Sequence, residues 1–298
     1  MGAAIEIGAD RSIEAALQGA EGTVARPTAA EFRRLAELVK SKLGISFTEK
    51  KRELVVSRLK HFLTGQQVAT YTQLVDSVES GHGPVTLEDL ANILSTNHTY
   101  FFREPAHFEF LRSRVLFELE PRLRGPQPMI RIWSAACSSG EEPWSIAIAL
   151  RQYLGLRIER TSIGILATDI STRVLAAAER GRYSEERLSA MPPNFRRSWF
   201  EDNGDGTWDV RENLRSDVVF RQMNLLSKFD FRVQFDVVFC RNVMIYFDEA
   251  TRTELLRAIY AVIRPGGWLF IGLAESLAAT SHSFQHVRPG IFRRQVEG

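Results

Sequence analysis

Cysteine is scarce in this sequence, and so is any pattern of metal ligands. The 298 residues contain two cysteines, Cys137 and Cys240, which lie far apart in apolar, strand-like contexts. Two isolated thiols of this kind do not form a disulfide framework, and neither has a neighbour at the spacing of a zinc ligand. The sequence therefore predicts a protein of a reducing compartment, the cytoplasm, and no metal site.

Long apolar runs are absent as well. No run approaches the roughly 18 residues that span a bilayer, and residues 1–26 lack the basic start and apolar stretch of a secretion signal. Position 6 is Glu6, where an N-myristoylation signal has serine or threonine. We therefore predict a disordered tail over residues 1–27 and no direct membrane insertion.

The chain also lacks a strong excess of one charge. Its formal net charge is +2, which does not favour wholesale nucleic-acid binding. The hydrophobic fraction of 44% and the charged fraction of 25% are typical of a soluble globular protein. A chain of this length accommodates one large domain or two ordinary ones.

Residues 28–124 carry helical periodicity and no strand pattern. The first predicted helix is capped by Thr28 and stopped by Gly44. Its apolar residues recur at helical spacing: Phe32, Leu35, Leu38 and Val39. Further helical segments follow, and the last is a long helix from Phe108 to about Leu123. We therefore predict a helical N-terminal domain with a linker helix over residues 28–124.

Beyond a Pro- and Gly-containing linker at residues 124–128, the periodicity changes. Apolar strand-like runs alternate with helical patterns at residues 130–135, 163–168, 237–240 and 268–273. Alternation of this kind predicts an α/β domain, over residues 125–298, with a parallel sheet covered on both faces. One segment interrupts it, at about 191–219, where Gly204 and Gly206 mark the turn of an inserted β-hairpin.

The loop after the first predicted strand is the most informative segment. Residues 135–140 are small, so a ligand can approach the backbone, and Glu141 and Glu142 follow at the start of a helix. Helix N-termini usually favour anions, but two carboxylates repel a phosphate and favour hydroxyls, an ammonium or a sulfonium. An ordinary loop, with the two glutamates capping the helix, is the alternative.

Polar residues also follow the other predicted strands. Asp169 ends the second strand, where an acidic residue of a doubly wound fold accepts hydrogen bonds from ribose hydroxyls. It could also simply cap the next helix. Asn224, Arg241, Asn242 and Tyr246 follow two later strands, at the edge where open α/β sheets bind ligands. For Arg241, pairing with a structural carboxylate is the alternative.

Two features of the helical region are candidates for function. Residues 97–103 interleave Asn97, Thr99 and Arg103 with aromatic residues, although an interhelix turn with a surface arginine would look the same. Between Lys40 and Phe62 there are seven basic residues against two acidic ones. That excess indicates either a docking surface for an acidic partner or a solvated helix face.

Four segments together resemble the chemotaxis receptor methyltransferases, the CheR family. They read STNHTYFFRE at 95–104, WSAACSSGEEP at 133–143, ATDI at 167–170 and FCRNVMIYF at 239–247. The resemblance runs from about Thr28 to the C-terminus. It implies a Rossmann-like S-adenosylmethionine-dependent methyltransferase domain of the α/β class with a small β-subdomain insertion, preceded by an all-helical N-terminal domain. It also implies methyl transfer to glutamate side chains of chemoreceptors, which yields glutamyl methyl esters and S-adenosylhomocysteine.

The resemblance assigns roles residue by residue. Arg103 and Tyr246 match the positions nearest the reacting methyl group, and Arg103 is expected to reach the site from the helical domain. The implied cofactor contacts are Asn97, Thr99, Arg103, Glu142, Asp169, Asn224, Leu225, Arg241 and Asn242. The basic helix Lys50–Lys60 matches the element that meets the receptor. We expect a monomer.

Some members of the family tether a peptide of the receptor through the β-subdomain. The turn at residues 202–206 and the strand at 208–210 give no clear match to that version, so the sequence leaves tethered recognition in doubt.

Two other functions remain open. The first is methylation of a nucleic acid or small molecule, against which residues 240–243 read Cys-Arg-Asn-Val instead of the Asn/Asp-Pro-Pro-aromatic motif of DNA amino-group methyltransferases. The second is a module that binds the cofactor or a receptor without turnover, against which every expected site position is filled.

Overall fold

The computed structural model describes residues 26–47, 52–65, 68, 70–95, 97–277, 280 and 282–296. The predicted tail falls almost entirely outside these residues. Contacts between Cα atoms divide the chain into two compact units. The first contains residues up to Lys40 and Phe47–Leu94, and the second contains Ser41–Ser46 and the chain from Ser95 onward.

The first unit is built from α-helices. Their bounds are Ala29–Leu43 (α1, which belongs to this unit through Lys40), Arg52–Gly65 (α2), Tyr71–Ser80 (α3) and Leu87–Leu94 (α4). Thr28 caps α1 as predicted, because its Oγ accepts from Glu31 N at 3.2 Å while the Glu31 carboxylate accepts from Thr28 N at 2.9 Å. The apolar residues predicted to line one face of α1 are buried, which confirms the prediction of a helix here.

The second unit begins with a long helix interrupted by a π-helical turn. Pro105–Phe110 (α5) runs through Leu111–Val115 in π-helical geometry into Leu116–Leu123 (α6). The sequence predicted one helix from Phe108 to about Leu123, and the structure starts it three residues earlier at Pro105, a proline in the first helical position.

A seven-stranded, mostly parallel sheet forms the centre of the second unit, as predicted. Its order is β6-β2-β1-β7-β8-β10-β9, and its antiparallel pairs are β8–β10 and β10–β9. The strands are Met129–Ala135 (β1), Ser162–Asp169 (β2), Val218–Gln222 (β6), Phe235–Cys240 (β7), Ile263–Phe270 (β8), Gln285–Arg288 (β9) and Ile291–Arg293 (β10). The α-helices that follow β1, β2 and β7 are Glu141–Leu154 (α7), Thr172–Arg180 (α8) and Glu249–Val262 (α11).

Side chains of β1 alternate between two buried clusters on opposite faces of the sheet. Ile130 and Ile132 belong to one cluster, and Trp133 and Ala135 belong to the other. Both faces are therefore covered, which is why β1 reads as a nearly continuous apolar run. The Trp133 indole N–H donates to Thr168 Oγ1 on β2 at 2.9 Å, so the one polar atom of this ring is satisfied.

A small antiparallel sheet is inserted between α8 and β6. It consists of Arg182–Ser184 (β3), Phe200–Asp202 (β4) and Thr207–Val210 (β5) in the order β3-β5-β4, with Pro193–Trp199 (α9) before β4 and Glu212–Arg215 (α10) after β5. Gly204 and Gly206 have φ of 75° and 81°, as the predicted hairpin requires. The predicted insertion, about 191–219, started too late, because a three-residue strand such as β3 shows no periodicity in sequence. It also ended too late, since Val218 already belongs to β6.

Candidate active site

Backbone strain marks one edge of the central sheet. Among the residues that the structure describes, those other than glycine with positive φ are Phe102, Glu104, Ala136, Ser138 and Asn242. They fall on the loop at 97–104, the loop after β1 and the loop after β7. A residue held in this conformation costs about 1–3 kcal/mol and persists where its surroundings fix it, often at functional sites. The carboxyl edge of the sheet is therefore the candidate site.

The loop between β1 and α7 is fixed by contacts with β2. Cys137 N donates to Thr168 O at 2.9 Å, and Ser138 N donates to Asp169 Oδ2 at 2.9 Å. Gly140 caps α7 with φ of 96°, and a Cβ at this position would lie 2.8 Å from the Ala178 Cβ atom and the Tyr183 hydroxyl. The small residues thus bring the loop close to β2 and α8.

Asp169 lies at the end of β2, and its two carboxylate oxygens accept hydrogen bonds from different loops. Oδ1 accepts from Ser171 N at 3.0 Å, and Oδ2 accepts from Ser138 N. Burial raises the pKa of Asp169, and its bonds with backbone amides oppose that rise. The cap of α8 is Ser171, whose Oγ accepts from Val174 N. Because a carboxylate has about four acceptor sites, Asp169 can still accept a hydroxyl donor beside these backbone amides.

The two adjacent glutamates of α7 have different surroundings. Glu141 is completely buried, and its carboxylate accepts from Ser139 Oγ at 2.7 Å and pairs with Arg187. Glu142 accepts from Ser134 Oγ at 2.7 Å and pairs with Arg241 at 3.0 Å. Burial raises the pKa of both carboxyls. Glu141 therefore holds the insertion, and Glu142 belongs to the sheet edge.

Arg241 is a buried clamp between two carboxylates. Its Nη1 donates to Glu142, and its Nη2 lies 2.9 Å from Glu104 Oε2 and donates to Arg103 O at 2.6 Å. Burial acts to raise the pKa of Glu104, but the Arg241 guanidinium outweighs it, and the pKa of this carboxyl lies below its ordinary value. The structural pairing that the sequence left open for Arg241 is thus observed.

Glu275 organises the loop after β7, a role that the sequence did not predict. Its carboxylate accepts from Asn242 N at 2.9 Å, Met244 N at 2.7 Å and Gly272 N at 2.6 Å. A Cβ at Gly272 would lie 2.2 Å from Asn242 Nδ2, so the side chain of Asn242 rests against this glycine. These contacts hold Asn242 at φ of 60°.

The segment 97–104 lies against the start of α7. Phe102 N donates to Ser145 Oγ at 2.9 Å, and Ser138 Oγ donates to Asn97 O at 3.3 Å. The Arg103 guanidinium donates to His98 O at 2.9 Å, and Thr99 is half-buried. This segment belongs to the second unit. Arg103 is therefore part of the same unit as the sheet edge, and the expectation that it reaches in from the helical domain is corrected.

The remaining predicted residues lie on loops of the same edge. Asn224 follows Met223, whose N–H donates to Asp169 O at 2.9 Å. The side chain of Asn224 donates to Lys42 O at 2.7 Å, and Leu225 is buried in the cluster around Trp133. Tyr246 is half-buried in the turn Met244–Tyr246. Arg241 contacts both Glu142 and the carbonyl of Arg103, and Ser138 bonds with both Asn97 and Asp169. Connectivity places the other predicted residues on the same edge.

Comparison with known proteins identifies this arrangement. Residues 97–291 match the domain described as "CheR methyltransferase, SAM binding domain", and residues 30–95 match "CheR methyltransferase, all-alpha domain". The chain belongs to the CheR methyltransferase family. It is an S-adenosylmethionine-dependent methyltransferase, which confirms the predicted fold, enzyme class and cofactor.

Several curated relatives extend over most of this chain. The chemotaxis protein methyltransferase of Borreliella burgdorferi is 38% identical over 266 residues, which are 89% of this chain and 94% of the relative. Chemotaxis protein methyltransferase 1 of Pseudomonas aeruginosa is 35% identical over 275 residues, which are 89% and 97% of the two chains. The similarity therefore covers both units of this CheR methyltransferase.

The described part of the chain has no helix that is long and apolar enough to cross a membrane. In the same residues, no group of three or more His, Cys, Asp or Glu side chains is arranged to hold a metal ion.

A buried histidine of this CheR methyltransferase adjoins the Arg241 clamp. His107 on α5 is 1% exposed, its ring packs against Phe270, and its Nδ1 lies 3.3 Å from Glu104 Oε2. Burial lowers the pKa of His107 to about 4; the nearby Arg241 acts in the same direction, and Glu104 opposes it. The ring is therefore neutral near pH 7.

His107 should make folding stability depend on mildly acidic pH. In the unfolded chain His107 is protonated below about pH 6.5, whereas in the folded chain it stays neutral down to about pH 4. The contribution of neutral His107 to folding stability is therefore fully present above pH 6.5 and is lost as the pH falls towards 4. Between pH 6.5 and 5 we expect the free energy of unfolding to fall by about 1–2 kcal/mol, measured by urea unfolding.

The matched variants for this experiment are His107→Phe and His82→Gln. His107→Phe should remove most of the slope, whereas His82→Gln, at an exposed position, should retain it. An unchanged slope in His107→Phe would show that other groups cause the acid sensitivity.

Proposed function

We propose that the enzyme transfers the methyl group of S-adenosylmethionine to glutamate carboxylates of chemoreceptors, which yields glutamyl methyl esters. One observation carries the proposal. Asp169, a buried carboxylate suited to ribose hydroxyls, lies at the same edge of the sheet as the loop of Arg103. Arg241 bonds with the carbonyl of Arg103 and so joins that loop to the edge. When bound, the cofactor supplies a methyl group on a cationic sulfur. The names of the relatives supply the chemotactic context.

In this proposal the cofactor lies along the loops of the carboxyl edge. Asp169 accepts the ribose hydroxyls, because its oxygens retain lone pairs beyond their bonds with Ser138 and Ser171. The other contacts that we propose are Asn97, Thr99, Arg103, Glu142, Asn224, Leu225, Arg241 and Asn242. For Arg241 we propose a backbone contact, since its guanidinium is already engaged by Glu104, Glu142 and the carbonyl of Arg103.

The accepting glutamate needs no general base. Its ordinary pKa is about 4.3, so at neutral pH it is already a carboxylate. One of its oxygens forms the new bond to the methyl carbon while the carbon–sulfur bond breaks and its electron pair remains on sulfur. No proton is transferred. The contribution of the protein is therefore to dehydrate and align the carboxylate, and positioning of this kind lowers a barrier by up to about 7–11 kcal/mol.

We propose that Tyr246 orients this carboxylate and that Arg103 supplies packing and positive charge near the cofactor. A tight ion pair with arginine would weaken the nucleophile, whereas a tyrosine hydroxyl can position it with one hydrogen bond. Arg103 is half-buried, and its guanidinium donates to His98 O and lies 5.8 Å from the centre of the Tyr100 ring. These contacts leave most of its donors available.

The proposal is tested by methyl transfer from labelled cofactor to receptor-containing membranes. We expect Tyr246→Phe and Arg103→Ala each to lower kcat by about 10–100-fold, which corresponds to about 1.4–2.7 kcal/mol. Alkaline treatment of the product should release labelled methanol, as an ester does and an N-methyl group does not. Near-normal transfer by both variants, or label that resists alkali, would contradict the proposal.

The remaining proposals concern partners and location. We propose that the enzyme is a cytoplasmic monomer and that basic residues of Lys50–Lys60 dock an acidic receptor surface. Lys50 and Lys51 lie outside the described residues. Arg52, Arg58 and Lys60 belong to α2, where Lys60 is exposed and Arg58 donates to Leu94 O at 3.2 Å.

A further inference from the structure

Three large apolar side chains are exposed on loops at the carboxyl edge of the central sheet, which we call the reactive edge. Tyr100, Ile245 and Leu273 have exposed fractions of 48%, 47% and 51%. We call these three residues the apolar rim. Tyr100 lies on the segment of Arg103, Ile245 precedes Tyr246, and Leu273 follows the glycine against which Asn242 rests. Each rim residue therefore belongs to a loop that carries, or directly supports, a proposed site residue.

The three loops are bonded to one another. Glu104 Oε1 accepts from Leu273 N at 3.1 Å, and its Oε2 pairs with Arg241. Glu275 joins the amide of Gly272 to those of Asn242 and Met244. Because these loops share two part-buried carboxylates, their backbones are held in a fixed relation to one another.

The other exposed large apolar residues of the described second unit are distributed differently. They lie on separate elements: Phe117, Leu156, Val219, Val233, Val287 and Val296. Single exposed apolar side chains are normal and require no explanation. Three of them on interlinked loops beside proposed catalytic residues indicate a contact surface.

We propose that the apolar rim receives apolar side chains that flank the accepting glutamate on the protein substrate. This proposal rests on the proposed function. A glutamate side chain extends roughly 4–5 Å from its Cα atom, given bonds of about 1.5 Å. When its carboxylate reaches the reactive edge, the adjacent residues of the substrate must therefore lie on the surrounding loops.

The proposal predicts a defect in receptor binding that leaves the cofactor unaffected. The variants are Ile245→Gln and Leu273→Gln, which keep side-chain size and the backbone amides that Glu104 and Glu275 engage. Each should raise the KM for a cytoplasmic receptor fragment about tenfold, which corresponds to about 1.4 kcal/mol. The kcat at saturating receptor and the Kd for S-adenosylhomocysteine should remain within about twofold, because the substituted side chains do not belong to the proposed cofactor contacts.

Leu156→Gln is the matched control. Leu156 is 90% exposed and follows α7, the helix that begins at Glu141. A helix of 14 residues is about 20 Å long, so Leu156 lies far from the rim. Equal defects in Leu156→Gln and the rim variants would show a nonspecific effect and overturn the proposal.

Direct titration of the S-adenosylhomocysteine complex with the receptor fragment separates failure of the rim from failure of the proposed function. If the wild-type enzyme methylates receptors and the rim variants bind them normally, the rim proposal is wrong and the function stands. If the wild-type enzyme does not methylate receptors, the proposed function is wrong. Normal receptor binding by the rim variants would then also show that the rim proposal is wrong. A rim that instead joins two copies of this chain would appear in sedimentation as a wild-type dimer that Leu273→Gln dissociates.

Discussion

Arg241→Met is expected to lower the free energy of unfolding by about 3–5 kcal/mol, because it leaves Glu104 and Glu142 as buried charges without their cation. The side chain of Arg241 is 2% exposed, and each glutamate side chain is 12% exposed. Solvent therefore cannot replace the lost partner. Methionine fills a similar apolar volume, so the loss would come from electrostatics instead of a cavity. Urea unfolding monitored by circular dichroism measures it.

The matched control is Arg182→Met, which breaks an ion pair whose side chains are 54% and 30% exposed. There we expect a loss of less than about 1 kcal/mol, since solvent screens exposed pairs. Combining Arg241→Met with Glu104→Gln and Glu142→Gln should recover part of the stability, because the uncompensated charges disappear. If Arg241→Met folded as stably as the wild type and lost only cofactor affinity, the guanidinium would be a ligand group and not a structural clamp.

Asp169→Ala is expected to weaken cofactor binding by at least about 100-fold. A hydrogen bond to a charged group contributes about 1.5–3 kcal/mol, and the ribose offers two hydroxyl donors to one carboxylate. The substitution also frees the amides of Ser138 and Ser171, so the loop after β1 would lose a contact that holds it against β2. Titration calorimetry with S-adenosylhomocysteine measures the Kd directly, without turnover.

A control must separate this loss from a general loss of stability. Asp217 is also buried, and it pairs with Arg151, but it precedes β6 at the amino edge of the sheet. In the β2–β6 register Val218 lies opposite Ile165, whereas Asp169 lies opposite Gln222 at the other end. Asp217→Ala should reduce stability while the Kd changes by less than about threefold. Equal losses of affinity in the two variants would contradict a ribose contact at Asp169.

Most of the elements could be predicted from the sequence, because their signals are local. The apolar stripe of α1 repeats at helical spacing, and Thr28 with Glu31 forms a capping box within four residues. The strands β1, β2 and β7 read as short apolar runs because both faces of the sheet are covered. Strand β3 could not be predicted, since Arg182–Ser184 is too short to show alternation.

The site was only partly predictable for a related reason. Asp169 and the small loop before Glu141 were recognisable because a strand end followed by an acidic residue, or by small residues, is a local pattern. Glu104 and Glu275 were missed, although each carboxylate joins two of the loops at the reactive edge. No sequence spacing indicates the links between loops, since Arg241 and Leu273 lie far from Glu104 in the chain and Asn242 and Met244 lie far from Glu275.

The sequence by itself determined the helical and α/β regions and the family, and it indicated the candidate edge of the sheet, because periodicity and strand ends depend on neighbouring residues. Only the tertiary structure decided which charged side chains serve the fold. Glu141 and Glu142 are adjacent, yet one is engaged by Arg187 and the other by Arg241. Pairing of buried charges depends on which distant segments meet, and the desolvation energy that enforces each pair exists only once those segments are packed.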